Sequence, residues 1–287
     1  MTVAASRRPW RKNLYENKDY PDNYTDESFL DELKKNLHIR TVTFKEACFG
    51  AGLLTQQICV VVIFACTFVY LYNEWIDPVN LIIYTDATVL LAYCLLFHGQ
   101  YDFMNLCRTS CIYTICSYML SPLLKTLTET IDTDTIYSTT VIMMLIHLIF
   151  FDYGVPALIV SSSLSLNAAI FGAVCLASRL PLCVSVTAFV HVTVQCFALA
   201  PLFLTKVGFS FYNLVLEISV TASILYSISG VMTIFYFLVV FFINVICPYL
   251  FIKWYSYKEN IYGPWDEAII NVSGSPSFKQ KLQCFNS

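Results

Sequence analysis

The chain has 287 residues, of which 57% are hydrophobic and only 13% charged, with a formal net charge of −3. Soluble globular chains carry about 25% charged residues, so charges this sparse cannot cover a soluble globule of this size, and much of the surface must face lipid. Nine of the 17 Lys and Arg precede residue 47 but are interleaved with eight Asp and Glu, a mixture that excludes a nucleic-acid footprint.

Residues 1–46 form a polar tail without the short apolar core of a cleavable signal peptide. Within it, Asp26 to Ile39 reads as a short amphipathic helix. Phe29, Leu33 and Leu37 recur four apart on one face, and Asp31 and Lys35 pair at i,i+4 on the other. Such a helix suits a membrane surface or a partner protein.

A helix that crosses a bilayer needs about 20 predominantly apolar residues. Charge-poor windows of that kind run from Ala47 to Asn73, Pro78 to Tyr101, Thr109 to Leu124, Thr135 to Phe151, Tyr153 to Ser178 and Leu180 to Thr205. Val207 to Ile252 is too long for one helix and splits near Ser227, Ser229 and Gly230. The expected fold is therefore all-α: a polytopic transmembrane bundle of about eight spans over residues 47–252, with tails at 1–46 and 253–287. Eight spans put both tails on one side with Arg108, Lys206, Lys253, Lys258, Lys279 and Lys281, and leave only Lys125 and Arg179 on the other. That bias makes the tails cytosolic. The tracts starting at Asn23 and Asn271 match a glycosylation pattern but then face the cytosol, where they stay unused.

The 12 cysteines include no CxxC pair and fall mostly in apolar runs, which suits packing better than metal ligation. In the fifth span Ala157, Ser161, Ser165, Ala169, Ala173 and Ala177 recur every four residues. Small side chains at this spacing let helix backbones approach closely, within the chain or against another subunit. Asn167 in the same span needs a polar partner. Ionisable residues inside spans are functional candidates by default, and Asp86 and Glu217 lie deepest. His147 and Asp152 stand near the end of the fourth span, within reach of the headgroups. Asp132-Thr133-Asp134 has the D-x-D form that can hold a divalent cation against a sugar diphosphate. No Gly-rich phosphate loop or nucleotide-binding fold accompanies it, so helix capping by Thr133 and Asp134 is the better reading. No nucleophile constellation emerges, and no cofactor or metal is expected.

Several segments then read together in order: Pro21-Asp22-Asn23-Tyr24, Ser121 to Glu129 with Thr133 to Tyr137, His147 to Gly154, Ile159 to Asn167, Cys175 to Pro181, and Gly263-Pro264-Trp265-Asp266. The chain thereby resembles the phosphatidylinositol glycan class C family. That resemblance implies membership of the endoplasmic reticulum complex that transfers N-acetylglucosamine from UDP-N-acetylglucosamine to phosphatidylinositol, the first step of glycosylphosphatidylinositol (GPI) anchor synthesis. Catalysis in that complex is implied to belong to a class A subunit, with class H, P, Q and Y subunits as further partners. This chain is then a scaffold that helps present the lipid, with Asp152, His147, Lys206 and Lys253 as lipid-binding candidates. Two other readings remain open from the residues: a transferase acting at the lumenal Asp132–Asp134 loop, and a lipid transporter or scramblase.

Overall fold

The computed structural model describes residues 20–21, 24, 34–35, 42–96, 103–128, 130–154, 160–255, 257–258 and 261–262. The chain forms two compact units, residues 44–251 and the two tails together. Within the tail unit, Lys34–Lys35 (β1) pairs antiparallel with Ile261–Tyr262 (β2). The amphipathic helix expected over Asp26 to Ile39 is thus extended at Lys34 and Lys35, where backbone groups pair with the C-terminal tail instead of along a helix. The rest of that segment lies outside the described residues.

The described residues contain eight helices: α1 (Phe44–Tyr72), α2 (Pro78–Leu96), α3 (Phe103–Thr126), α4 (Thr133–Phe150), α5 (Ser162–Ala177), α6 (Cys183–Val207), α7 (Phe211–Ile228) and α8 (Gly230–Tyr255). Of these, α1, α4, α6, α7 and α8 are long and apolar enough to cross a membrane, and α2 and α5 are shorter apolar helices. The long apolar window does break at Ser229, in extended conformation (φ −160°, ψ 123°). Its hydroxyl caps α8 by accepting from the Met232 amide.

Two helices carry a π-turn, Gln195–Leu199 in α6 and Phe242–Ile246 in α8. Each is followed two residues later by a proline, Pro201 and Pro248. Proline cannot donate an amide hydrogen and its ring crowds the carbonyl four residues back. The widened turn immediately upstream makes room for it, so each helix continues rather than breaking.

The core lies where α1 crosses α6. Phe64 and Phe189 have ring centroids 4.8 Å apart, and Phe197 meets Phe64 edge-on at 5.1 Å. All three are buried, with Leu71 and Val186 beside them. The α4–α5 pair packs on that core through Met144, Ala169, Ala173 and Ala177. Ile136, Thr140, Met144 and His147 form one buried stripe of α4. It meets Ser165, Ala169, Ala173 and Ala177 of α5, each no more than 2% exposed. A Cβ added at Gly172 would come within 3.0 Å of Met144 and 3.4 Å of Met143.

Helix α5 is shorter than expected. It starts at Ser162, with Ser161 as its cap accepting from the Leu164 amide, so Ser161 sets the helix start rather than joining the packing stripe. Ala157 lies outside the described residues. Helix α4 ends where Phe151 turns extended (φ −64°, ψ 141°), and in the turn that follows Gly154 adopts φ +73° and its amide donates to the Asp152 carboxylate.

Candidate functional site

Three consecutive side chains of α1 link it to three different helices. Thr55 Oγ1 accepts from Asn244 of α8 at 2.8 Å, Gln56 Nε2 donates to Glu217 Oε1 of α7 at 3.2 Å, and Gln57 Nε2 lies 2.7 Å from His147 Nε2 of α4. Successive residues of an α-helix point about 100° apart, which is why Thr55-Gln56-Gln57 reaches three neighbours at one level. All three are buried. None of them is ionisable, so a search for charges inside spans passes over the triplet. Two adjacent glutamines within a 29-residue apolar helix are the signal that the sequence does offer.

His147, expected within reach of the headgroups, is 1% exposed, its side chain inside the bundle. Its Nδ1 lies 3.0 Å from the Ser165 carbonyl and 2.8 Å from Ser165 Oγ, and that hydroxyl donates to the His147 carbonyl at 3.0 Å. An amide nitrogen only donates, so Gln57 requires Nε2 to accept, and Nδ1 then carries the proton toward Ser165. The ring locks α1, α4 and α5 together. Asp152 is exposed, whereas the His147 imidazole packs edge-on against Phe197 of α6 at 4.8 Å.

A second polar group joins α2, α3 and α6. Asp86 Oδ1 lies 2.7 Å from His191 Nε2 and 3.2 Å from Gln195 Nε2, and Ser110 Oγ lies 3.4 Å from both carboxylate oxygens. The carboxylate accepts, so His191 carries its proton on Nε2, and its buried Nδ1 has no hydrogen-bond partner among the described residues. Tyr113 lies over the His191 ring at 5.5 Å and donates to the Val190 carbonyl. Asp86 thus has interhelical partners, as Glu217 has in Gln56. Glu217 Oε2 remains buried without one among the described residues.

At the opposite end of α4 and α5 the two expected isolated cations lie in one corner. Lys125 Nζ donates to the Pro181 carbonyl at 2.6 Å, and Arg179 Nη2 donates to the carbonyls of Thr128, at 2.8 Å, and Ile131. Thr128 Oγ1 donates to Ser178 Oγ. The stretches Ser121 to Glu129 and Cys175 to Pro181 therefore meet, with both cations against carbonyls of the linkers between helices. Asp132 and Asp134 are exposed nearby. Asp132, not Thr133 or Asp134, occupies the cap position of α4, and its side chain makes no cap hydrogen bond. Among the described residues no three His, Cys, Asp or Glu side chains come together as metal ligands.

Of the remaining residues singled out by sequence, Asp152 is exposed, with Tyr153 beside it donating to the Leu148 carbonyl at 2.7 Å. Burial pushes the Tyr153 phenol above its ordinary pKa. Lys206 is exposed in the last turn of α6, and Lys253 stands in the last turn of α8. Asn167 is exposed on α5 between Leu164, Ile170 and Phe171.

The architecture defines a helical membrane protein whose buried ionisable and amide groups are directed at neighbouring helices. A family model described as "GPI2: Phosphatidylinositol N-acetylglucosaminyltransferase" matches residues 10–266. The chain belongs to this family. It is 42% identical to the C subunit of phosphatidylinositol N-acetylglucosaminyltransferase from Rattus norvegicus over 279 residues, covering 91% of this chain and 93% of the relative. The Homo sapiens counterpart is 40% identical with the same coverage. The GPI2 subunit of Schizosaccharomyces pombe is 32% identical over 298 residues, 95% of this chain and 90% of that one. No solved structure matches the chain.

Proposed function

We propose that this chain is the class C membrane subunit of the complex that transfers N-acetylglucosamine from UDP-N-acetylglucosamine to phosphatidylinositol, the first step of GPI-anchor synthesis, and that another subunit performs the chemistry. The observation that carries the reading is kinship with subunits so named along nine-tenths of both chains. The supporting geometry is the use made of the polar groups within the helices. Buried His147 and His191 and half-buried Asp86 and Glu217 each hydrogen-bond to another helix, which is the work of a scaffold.

In this reading all eight helices cross the endoplasmic reticulum membrane, and both tails are cytosolic. The class A glycosyltransferase and the class H, P, Q and Y subunits are the partners. Since Ser165, Ala169, Ala173 and Ala177 are occupied by contacts within the chain, the outward face of α5 around Asn167 is the surface offered to a partner helix. An amide in lipid gains from an interhelical hydrogen bond. Asp152, Lys206 and Lys253 are the headgroup candidates. Lysine suits the phosphate and the carboxylate suits inositol hydroxyls. His147 drops from that set because of its burial.

The test is transfer of labelled N-acetylglucosamine to phosphatidylinositol in microsomes lacking this chain, with and without re-expression. Loss restored by the chain is expected. Normal transfer in its absence would overturn the reading and bring back the lumenal transferase and the transporter. With activity established, Asp152→Asn or Lys206→Gln should raise the KM for phosphatidylinositol and leave that for the nucleotide sugar unchanged.

A further inference from the structure

The two strong donors to the Asp86 carboxylate, His191 Nε2 and Gln195 Nε2, both reach Oδ1. Oδ2 has only the Ser110 hydroxyl, at 3.4 Å. Gln195 is neutral, and the geometry makes His191 neutral too. The His191 side chain is 4% exposed, and its Nδ1 is buried without a partner among the described residues. A second proton there would bury an N–H, and a positive charge, with no acceptor. The charge of Asp86 is therefore left in place. Among the described residues no Lys or Arg forms an ion pair with it. Arg108 stands two residues before Ser110 on α3, but it is exposed and points about 160° away from Ser110 around the helix.

This carboxylate is also open. Its side chain is 32% exposed. Asp86 is the ninth of the 19 residues of α2. At 1.5 Å per residue it stands about 12 Å from one end and about 15 Å from the other, near the middle of a hydrocarbon core of about 30 Å once α2 spans it. Headgroup amines and aqueous cations stay at the boundary and do not reach that depth. Ionisable side chains inside a membrane pair with one another or face a bundle interior, so the missing cation belongs on a protein span. The flank beside Asp86 admits one. Ile83 and Ala87 are exposed on the same side of α2, about 60° and 100° round from Asp86. Ala87 is small enough for a second backbone to come close.

We infer that Asp86 is the docking point for a membrane helix of another subunit, one that presents a lysine or arginine at mid-membrane depth. The inference rests on the proposed function for the existence of partner subunits, and on the open, uncompensated carboxylate for the place and the charge.

The test uses microsomes containing the whole complex with tagged subunits. Asp86→Asn keeps an oxygen that accepts from His191 and Gln195 but removes the charge. It should lower recovery of one partner subunit with this chain about tenfold or more, at an unchanged level of the chain in the membrane. A photoreactive residue at 83 should capture a span of that same subunit, and the captured span should hold a Lys or Arg. Asp86→Lys should abolish recovery and capture, and an acidic residue in place of the cation on the captured span should restore both. A purely structural role of Asp86 gives no such rescue. If Asp86→Asn lowers the level of the chain instead, the charge-reversed pair decides. Wild-type recovery with Asp86→Asn overturns the inference, because the carboxyl is then neutral in the membrane. So does capture of lipid alone, or of a span without a cation. So does an equal loss in Arg108→Gln that Asp86→Asn does not deepen, which would make the cation this chain's own. Failure of the underlying function is separately visible, since wild-type chain would then restore no transfer and recover no partner subunit.

Discussion

The α4–α5 pair and the α7–α8 hairpin are built on opposite terms. In α4–α5, small residues bring two backbones together, a Cβ at Gly172 would press on Met144 and Met143, and hydrogen bonds tie both ends: Ser165 to His147 at one, Arg179 to Thr128 and Ile131 at the other. In α7–α8 the side chains are large and face outward, with Phe235, Leu238, Phe241 and Tyr249 among the exposed ones. Helix α8 has the highest mean hydropathy of the long apolar helices, 2.4, yet 11% of its window is buried, against 50% for α6 at 1.8. Apolarity therefore does not report burial here. In lipid the hydrophobic effect gives no preference for the protein interior, so close packing and hydrogen bonding decide which helices associate.

The largest expected effect breaks the first region. Gly172→Leu should overpack the α4–α5 crossing at a cost of about 1–3 kcal/mol or more, seen as a several-fold fall in the steady-state level of the chain and a lower Tm in detergent. Phe235→Ala on α8, made as its counterpart, should leave both unchanged. Equal sensitivity of the two sites would dissolve the contrast.

Next comes the polar lock. His147→Ala leaves Gln57 and Ser165 without their buried partner, for about 1–3 kcal/mol. A double-mutant cycle with Gln57→Ala should return a coupling of about 0.6–1.7 kcal/mol, the range found for hydrogen bonds between membrane helices. Additive single mutants would mean that the imidazole packs without bonding.

The corner at the other end should be milder because it is partly exposed. Arg179→Lys retains the charge but loses the planar fork that reaches two carbonyls at once. Protease cleavage in the Thr126–Thr133 linker should become faster, with subunit association intact. Smallest of all, Glu217→Gln should shift the Tm hardly at all, since Gln56 still finds a carbonyl oxygen. Glu217→Lys should be far worse, as it sets a cation where Gln56 offers its amide donor. A large loss in the glutamine variant would show that the carboxyl itself is used.

Much of this fold is legible in the residues alone. Charge-free windows locate the helices, and Ser229-Gly230 marks the last turn because a hydroxyl cap and a flexible residue stand together there. Of the small residues that recur every four positions, Ser165, Ala169, Ala173 and Ala177 are buried. Lys125 and Arg179, set apart by charge counting, do share a corner. Proximity along the chain is the misleading cue. His147 stands five residues from exposed Asp152, yet its ring turns inward, because helical rotation and not sequence distance sets direction. Thr55-Gln56-Gln57 is equally hard to see, since an uncharged amide in an apolar run is inconspicuous until three neighbours converge on it.

The sequence by itself determined a helical bundle for lipid, its approximate helix limits and its family, since these depend on composition, period and motif order. Only the tertiary structure decided which helices the buried polar groups join, that Lys34 and Lys35 are extended against the C-terminal tail, and that the Asp86 carboxylate stays partly exposed beside Gln195. Those outcomes depend on contacts between residues as far apart as Gln56 and Glu217. A hydrogen bond fixes its partner only once both helices have met at the same depth and rotation, and no local pattern encodes either.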